Sequence, residues 1–361
     1  MTTLISIIVP VFNENDNIAP LLDRLDAVVR AIRQRNGDLA FEVVVTDNHS
    51  SDGTFERLRE AIQSGVPRDF RLRVFRFAKN IGFQKSILVG YTKAEGKAVI
   101  QVDADLQDPP ELIETFIDRW REGYHVVYGV RRSRRESRLV TGLRRAFYRL
   151  IDRISDDPLP HDAGDFRLVD RSLVDVVVAL RDHDPYLRGL FASLGLKQIG
   201  VPYDRASRER GESKFRFGDL LRLSWDGVTN HSVVPLKLSS YLAIAITVLG
   251  LALAAFYFAS WLFLGANLPL GFLTTVLLQL ASLAVLAFLI GIQGEYIGRI
   301  FSQLKEKPLA IVESRLNSEH AARATAAESV EVLWIGKPSL PRAGSEVAGV
   351  EEALTREPRQ Q

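Results

Sequence analysis

Between Lys237 and Glu295 no residue carries a charge. A membrane-spanning helix needs about 20 apolar residues, so the interval accommodates two, over about 238–264 and 271–292, divided by the turn-forming Gly265-Ala266-Asn267-Leu268-Pro269. Lys237 precedes the first span, Arg299, Lys305 and Lys307 follow the second, and the connection holds no cation. The positive-inside rule then puts both ends of a two-helix hairpin in the cytoplasm. Met1 to Pro10 has neither a basic flank nor a small-residue cleavage site, which predicts an N-terminal strand and not a signal peptide. The expected organisation is a cytoplasmic domain over 1–214, an interface segment over 215–236, the hairpin within 237–298, and a cytoplasmic tail over 299–361. The tail is rich in Ala, Glu, Ser and Pro and is expected to be largely disordered after about 313.

The interface segment rests on Leu220, Leu221, Trp225 and Val228, which recur at helical spacing with Arg216, Asp219, Arg222 and Asp226 interspersed. That pattern suits an amphipathic helix lying in the membrane surface, and it also suits a core helix of the soluble domain. The formal net charge of +2 gives no global field for nucleic acid, so no nucleic-acid partner is expected. The absence of cysteine excludes disulfides, thiolate metal sites and a cysteine nucleophile.

In the first part of the chain, apolar runs alternate with helical periods. Leu4–Val9, Glu42–Thr46, Leu72–Phe77, Ala98–Val102 and His125–Tyr128 read as strands. The segments between them, led by Ile18, Leu21, Leu22 and Leu25 in the first, read as helices. This spacing predicts an α/β, Rossmann-like, mostly parallel doubly wound sheet. Further along, Ala163–Val169 and Gly200–Asp204 read as extended and Leu173–Leu180 as helical.

The strand over Ala98–Val102 runs directly into Asp103-Ala104-Asp105-Leu106-Gln107, and Pro109 and Pro110 then start a helix. Ligands of open α/β sheets bind outside the carboxyl ends of strands. Two carboxylates at such an end suit a hard divalent cation, with Gln107 as a further oxygen donor and with water and phosphate as the remaining ligands. The loops Pro10 to Glu14 and Asp47 to Asn48 end neighbouring strands and are placed to hold a base and a ribose. Arg131 opens an arginine-rich run that reaches Arg153, and Arg205, Arg208 and Lys214 flank a glycine. These cations suit phosphate or anionic headgroups. Two phosphates beside a membrane hairpin suggest a lipid phosphate acceptor, which Asp165 is placed to orient.

Several ordered motifs then point to one family. They are Val9-Pro10-Val11-Phe12-Asn13-Glu14, Thr46-Asp47-Asn48-His49-Ser50-Ser51-Asp52-Gly53-Thr54, Asp103 to Pro110, Gly164-Asp165-Phe166-Arg167-Leu168 and Gly211-Glu212-Ser213-Lys214-Phe215. Together they resemble the inverting glycosyltransferase family 2, and most closely its polyprenyl-phosphate glycosyltransferases, over roughly 3–307. The resemblance implies a GT-A fold and an inverting transfer from a nucleotide sugar to undecaprenyl phosphate in a bacterial inner membrane. It also implies a divalent cation, Mg2+ or Mn2+, and a homo-oligomer.

By the family's pattern, Asp103, Asp105 and Gln107 bind metal. Pro10, Phe12, Glu14, Asp47, Asn48, Lys79, Asp103 and Ala104 line the nucleotide-sugar pocket. Arg131, Arg205, Arg208, Ser213 and Lys214 meet the acceptor or phosphates, and Asp103, Asp105 and Asp165 form the catalytic set. The family commonly has a second aspartate where this chain has Asn48, a position expected to touch the base. UDP-glucose is the favoured donor and cell-envelope glycan modification the favoured role. A processive polysaccharide synthase would carry Gln-x-x-Arg-Trp, and Trp120, Trp225, Trp261 and Trp334 all lie outside such a motif. A membrane scaffold or flippase partner with an inactive transferase domain is the rival from another class.

Overall fold

The computed structural model describes residues 2–132, 163–180, 182, 185–205, 234–264, 271–305, 307–318 and 330–334. They fall into two compact units, one within Met1–Arg138, Leu159–Glu212 and Glu306–Gln361, the other within Leu139–Pro158 and Ser213–Lys305.

The first unit is built on one sheet. In chain order its elements are β1 (Thr3–Val11), α1 (Asn15–Arg35), β2 (Leu39–Asp47), α2 (Thr54–Gln63), β3 (Arg71–Phe77), α3 (Phe83–Lys93), β4 (Ala98–Gln101), α4 (Leu112–Arg121) and β5 (Val126–Arg131). They continue with β6 (Ala163–Asp170), α5 (Arg171–Ala179), α6 (Leu187–Ser193), β7 (Gln198–Tyr203), β8 (Ala310–Asn317) and β9 (Glu331–Leu333). The sheet order is β7-β5-β6-β4-β1-β2-β3-β8-β9. Helices cover both faces, which explains the nearly unbroken apolar runs. Ile5, Ile7 and Val9 pack with α1, α2 and α4 on one face. Ile8, Val44 and Val99 pack with α3, α5 and α6 on the other.

The α/β expectation holds, with a correction to its mostly parallel character. The centre, β3-β2-β1-β4, is parallel. Beyond it β6 runs antiparallel to both β4 and β5, and β8 runs antiparallel to β3 and β9. A mixed sheet of this GT-A-like kind results. Alternating motifs reveal strands but not their direction, because a buried antiparallel strand has the same apolar run as a parallel one.

The tail expectation is corrected as well. β8 and β9 return to the first unit's sheet from beyond residue 306, so that unit is not the contiguous 1–214. Ala310, Val312 and Leu316 supply β8's buried side chains, and Glu331, itself buried, binds Lys93 at 2.7 Å and Arg315 at 2.6 Å. A short strand with charged alternate positions has the composition of a tail until its ion-pair partners are in place.

The second unit contains α7 (Val234–Leu264) and α8 (Phe272–Leu304). Among the described residues, Leu278–Leu304 is long and apolar enough to cross a membrane. The interface helix expected over 215–236 lies outside the described residues up to Val234, where α7 begins.

Candidate active site

The parallel strands β1, β2, β3 and β4 all end at one edge of the sheet. β5 and β7 also end there, while β6 and β8 begin there. Strand β1 sits between β2 and β4, and the chain crosses from β3 to β4 past it. The β1/β4 gap is therefore a topological switch point, the place where such sheets open a crevice. Pro10 to Glu14 leave β1 on one side of it, and Asp103 to Gln107 leave β4 on the other. Asn13, His49 and Leu106 have φ of 57°, 65° and 56°. Among the described residues they are the non-glycine positions in left-handed backbone, and each lies in a loop at this edge.

The loop after β4 gathers negative charge. Burial pushes the Asp103 carboxyl up to about 7, and Asp165, Asp108 and Asp105 add to the effect against the opposing pull of Arg205. Asp105 Oδ1 accepts the backbone N–H of Gln107 at 3.2 Å. Asp108 is fully buried. It accepts the Tyr203 hydroxyl at 2.5 Å and Arg205 Nε at 3.1 Å, and Arg131 Nη2 stands 3.7 Å away. Arg205 Nη2 also lies 4.0 Å from Asp105 Oδ2. Arg131 packs over Gly164, where a Cβ would come within 3.0 Å of its Nη2. The structure thus brings Asp103, Asp105, Asp165, Arg131 and Arg205 together.

Among the described residues no group of three or more His, Asp or Glu is gathered as a metal cage. The donor set nevertheless fits a hard divalent ion. Asp103 is a desolvated carboxyl with three further carboxylates, Asp165, Asp108 and Asp105, acting on it, and a cation held by one or two carboxylates takes its other ligands from water and phosphate.

On the other side of the crevice, two loops are stapled together. Asn13 N–H donates to Ser50 Oγ at 2.9 Å, Glu14 N–H to Thr54 Oγ1 at 2.9 Å, and Ser51 N–H returns to Asn13 Oδ1 at 2.9 Å. Asp47 Oδ1 accepts Ser50 N–H at 3.0 Å. Burial holds the Asp47 carboxyl above its ordinary value, opposed by Ser50, Arg76 and His49. Pro10 and Ala104 are buried, Lys79 is exposed, and the Phe12 ring is 46% exposed despite its size.

Asn48 ties the end of β2 to the loop that carries Lys79. Its Oδ1 accepts Ile81 N–H at 2.8 Å, and its Nδ2 donates to Asn80 Oδ1 at 3.0 Å. Asn80 Oδ1 also accepts Gly82 N–H at 2.9 Å. Each end of the amide thus makes one bond to that loop and keeps a further donor or acceptor site.

Asp165 is bracketed by Arg188 Nη2 at 3.1 Å and Arg167 Nη2 at 3.8 Å. Arg208, Ser213 and Lys214, and the arginine-rich run beyond Arg132, lie outside the described residues. Sequence reasoning missed Tyr203, Asp108, Arg188, Arg76 and Glu313 as parts of this edge. Asp108 lies inside the Asp103 to Pro110 motif and Tyr203 within the expected strand Gly200–Asp204, so register alone could have placed those two. Arg188 sits on α6, a helix of seven residues too short to show periodicity.

The model of the family described as "Glycosyl transferase family 2" matches residues 6–178. The uncharacterized glycosyltransferase YkcC of Bacillus subtilis is 37% identical over 316 residues, covering 87% of this chain and 95% of YkcC. A prophage bactoprenol glucosyl transferase homolog of Escherichia coli is 30% identical over 315 residues, covering 85% of this chain and 98% of its own. Among solved structures, the mannosyltransferase PcManGT from Pyrobaculum calidifontis, in complex with GDP-Man and Mn2+, is similar at 19% identity and a TM-score of 0.42, over 84% of this chain and 88% of that one. With relatives this similar along nearly their whole length, the chain belongs to glycosyltransferase family 2 and is homologous to the bactoprenol glucosyl transferases.

Proposed function

We propose that this glycosyltransferase moves a single sugar, with inversion, from a UDP-linked donor, favoured as UDP-glucose, to undecaprenyl phosphate for cell-envelope glycan modification. The observation that carries the reading is the juxtaposition of Asp103 and Asp105 with Arg131 and Arg205 at the switch-point crevice. It offers acidic groups for a cation and cations for phosphate within one edge of the sheet. The names of the bactoprenol relatives support the lipid acceptor.

A Mg2+ or Mn2+ ion held by Asp103, Asp105 and Gln107 would act as a Lewis acid on the donor diphosphate. The residues themselves divide the remaining work. Phe12 presents an apolar ring for the base, with Pro10, Glu14, Asp47 and Lys79 around the nucleoside, while Ala104 leaves room beside Asp103. Arg205, fixed by Asp108, and Arg131, laid over Gly164, face the phosphates. Arg208, Ser213 and Lys214 extend that set on sequence grounds. As the acceptor phosphate oxygen bonds to the anomeric carbon, the bond from that carbon to the diphosphate breaks on the opposite face, and the nucleoside diphosphate leaves. A phosphate oxygen is already ionised near neutral pH, so no strong base is required. Asp165, paired with Arg188, suits orientation of the acceptor.

Exposed Leu280, Leu283, Leu286 and Phe288 on α8 support insertion in the bilayer. We read α7 and α8 as the two spans of the expected hairpin, with both ends cytoplasmic by the positive-inside rule. A homo-oligomer follows from the family likeness alone.

The test is a screen of purified protein in detergent against UDP and GDP sugars, with undecaprenyl phosphate and Mg2+ or Mn2+, read by mass spectrometry of the lipid. One new lipid-phosphate sugar, lost with EDTA and in Asp105→Ala, is expected. Nucleotide release without a lipid product would overturn the acceptor. No turnover with any donor would overturn the activity.

A further inference from the structure

Strand β8 belongs to the chain beyond α8, yet it lies beside β3 at the same sheet edge as the crevice. Asp47 on β2 is in register with Arg76 on β3, and Arg76 with Ser314 on β8. The next pair is Phe77 with Val312, so Glu313 is the extra residue of a β-bulge. Bulges re-aim side chains, and here Glu313 Oε1 accepts Arg76 Nε at 2.7 Å.

The other nitrogens of the same guanidinium turn toward the loop after β2. Arg76 Nη2 donates to the Ser50 carbonyl at 3.2 Å, and Nη1 stands 3.5 Å from Asp47 Oδ2. Its plane lies over the Phe55 ring, 4.8 Å from the centroid. His49 Nδ1 is 3.7 Å from Glu313 Oε1 and 3.0 Å from the Phe77 carbonyl oxygen. Asp47 is fully buried, and among the described residues its Oδ2 accepts no hydrogen bond.

We propose that Glu313 is a positioning residue for donor binding, holding Arg76 back from Asp47 so that Asp47 Oδ2 stays available to the nucleotide. This rests on the reading of the Asp47 loop as the nucleotide side of the crevice. An arginine fork prefers to close on a carboxylate through two parallel hydrogen bonds. Glu313 takes the Nε edge of the fork and Ser50 takes one corner, which leaves Asp47 a single loose contact. Without the Glu313 charge, Arg76 rotates onto Asp47 and occupies the oxygen that a nucleoside hydroxyl or N–H would use. Donor binding thereby depends on a strand that follows the apolar helix α8.

The experiment measures UDP and GDP binding by calorimetry, with Mn2+, on the full-length protein in detergent and on its Glu313→Gln, Glu313→Asp and Arg315→Gln variants, together with each Tm. Arg315 lies on the same strand but pairs with Glu331. Glu313→Gln is expected to weaken the nucleotide that binds by about tenfold, as for loss of one charge-assisted contact. Glu313→Asp is expected to stay within about threefold of the wild type. Arg315→Gln should lower the Tm at least as much without changing binding, and kcat of Glu313→Gln at saturating donor should match the wild type. Unchanged binding in Glu313→Gln, or equal weakening in Arg315→Gln, would overturn the proposal and leave the transferase reading intact. Failure of the wild type to bind either nucleotide would overturn both.

Discussion

The Tyr203 hydroxyl donates to Asp108 Oδ1 at 2.5 Å, joining the last residue of β7 to a buried carboxylate in the loop after β4. Burial, and then this bond, push the Tyr203 hydroxyl up to about 12, so it remains a donor throughout the working pH range. Arg205 uses the same carboxylate oxygen at 3.1 Å. Tyr203→Phe leaves Arg205 as the partner of Asp108 and should cost about 1–2 kcal/mol of stability with a modest loss of kcat/KM. Asp108→Asn removes the charge that fixes Arg205 and should lower kcat/KM by about 10- to 100-fold. Steady-state kinetics beside thermal melts separate the two, and equal kinetic losses would show that Asp108 acts only through Tyr203.

Asp103 should oppose stability while serving function. Its carboxyl is raised to about 7, so the folded protein binds the proton more tightly than the unfolded chain does. Stability therefore falls as pH rises from the ordinary carboxylate range to about 7, and the full penalty is present above that. In EDTA-treated protein, Asp103→Asn should be more stable than wild type by on the order of 2 kcal/mol at mildly alkaline pH, after allowance for partial exposure. The gain should vanish in acid, where Asp103 is neutral in both states. Transfer activity should be lost at every pH. Melting curves across pH decide it, and a variant less stable than wild type under alkaline conditions would contradict the account from burial and neighbouring charge.

Asn48 should resist replacement by the aspartate common in relatives. An aspartate keeps the acceptor for Ile81 N–H but has no donor for Asn80 Oδ1, which lies 3.0 Å from Asn48 Nδ2. Two oxygens would then face each other and the Lys79–Gly82 loop would loosen. Asn48→Asp should weaken nucleotide binding about 3- to 10-fold for UDP and GDP alike. A switch in preference between the two bases, measured by calorimetry, would instead place Asn48 against the base.

The central architecture was legible because β1, β2 and β4 are buried on both faces and their ends empty into polar motifs. Asp103, Asp105 and the Pro10 to Glu14 loop could be placed from that alone, since the carboxyl ends of parallel strands share one edge. The direction of β6 and the return of β8 were not legible. Both depend on pairing with strands distant in sequence, and Glu313 is aimed by a bulge that exists only once β8 meets β3. The loop contacts of Asn48 were not legible for a related reason. Its partners Asn80 and Ile81 come from a loop that local sequence does not connect to β2.

Glu42 supplies the last test, at the opposite edge of the sheet from the crevice. It is fully buried, accepting the Ser6 hydroxyl at 2.6 Å, Arg71 Nη2 at 2.6 Å, Arg73 Nη1 at 2.9 Å and the Glu95 backbone N–H at 2.6 Å. Burial alone would raise its carboxyl, but these four donors outweigh burial and hold it below the ordinary value. A depressed carboxyl contributes stability that is complete above its unfolded value and lost as pH falls through the folded one. Glu42→Gln leaves two partly buried guanidinium groups, which Glu95 still pairs, facing a neutral amide and should cost about 3 kcal/mol near neutral pH, or roughly 6–12 °C in Tm. As pH falls below the ordinary carboxylate range, wild-type stability should decline toward that of the variant and the gap should close. Because Ser6, Glu42 and Arg71 lie at the strand ends remote from Asp47 and Asp103, kcat of the folded variant should match the wild type. A gap that persists unchanged in acid would assign the loss to shape and hydrogen bonding and remove ionisation of Glu42 from the account.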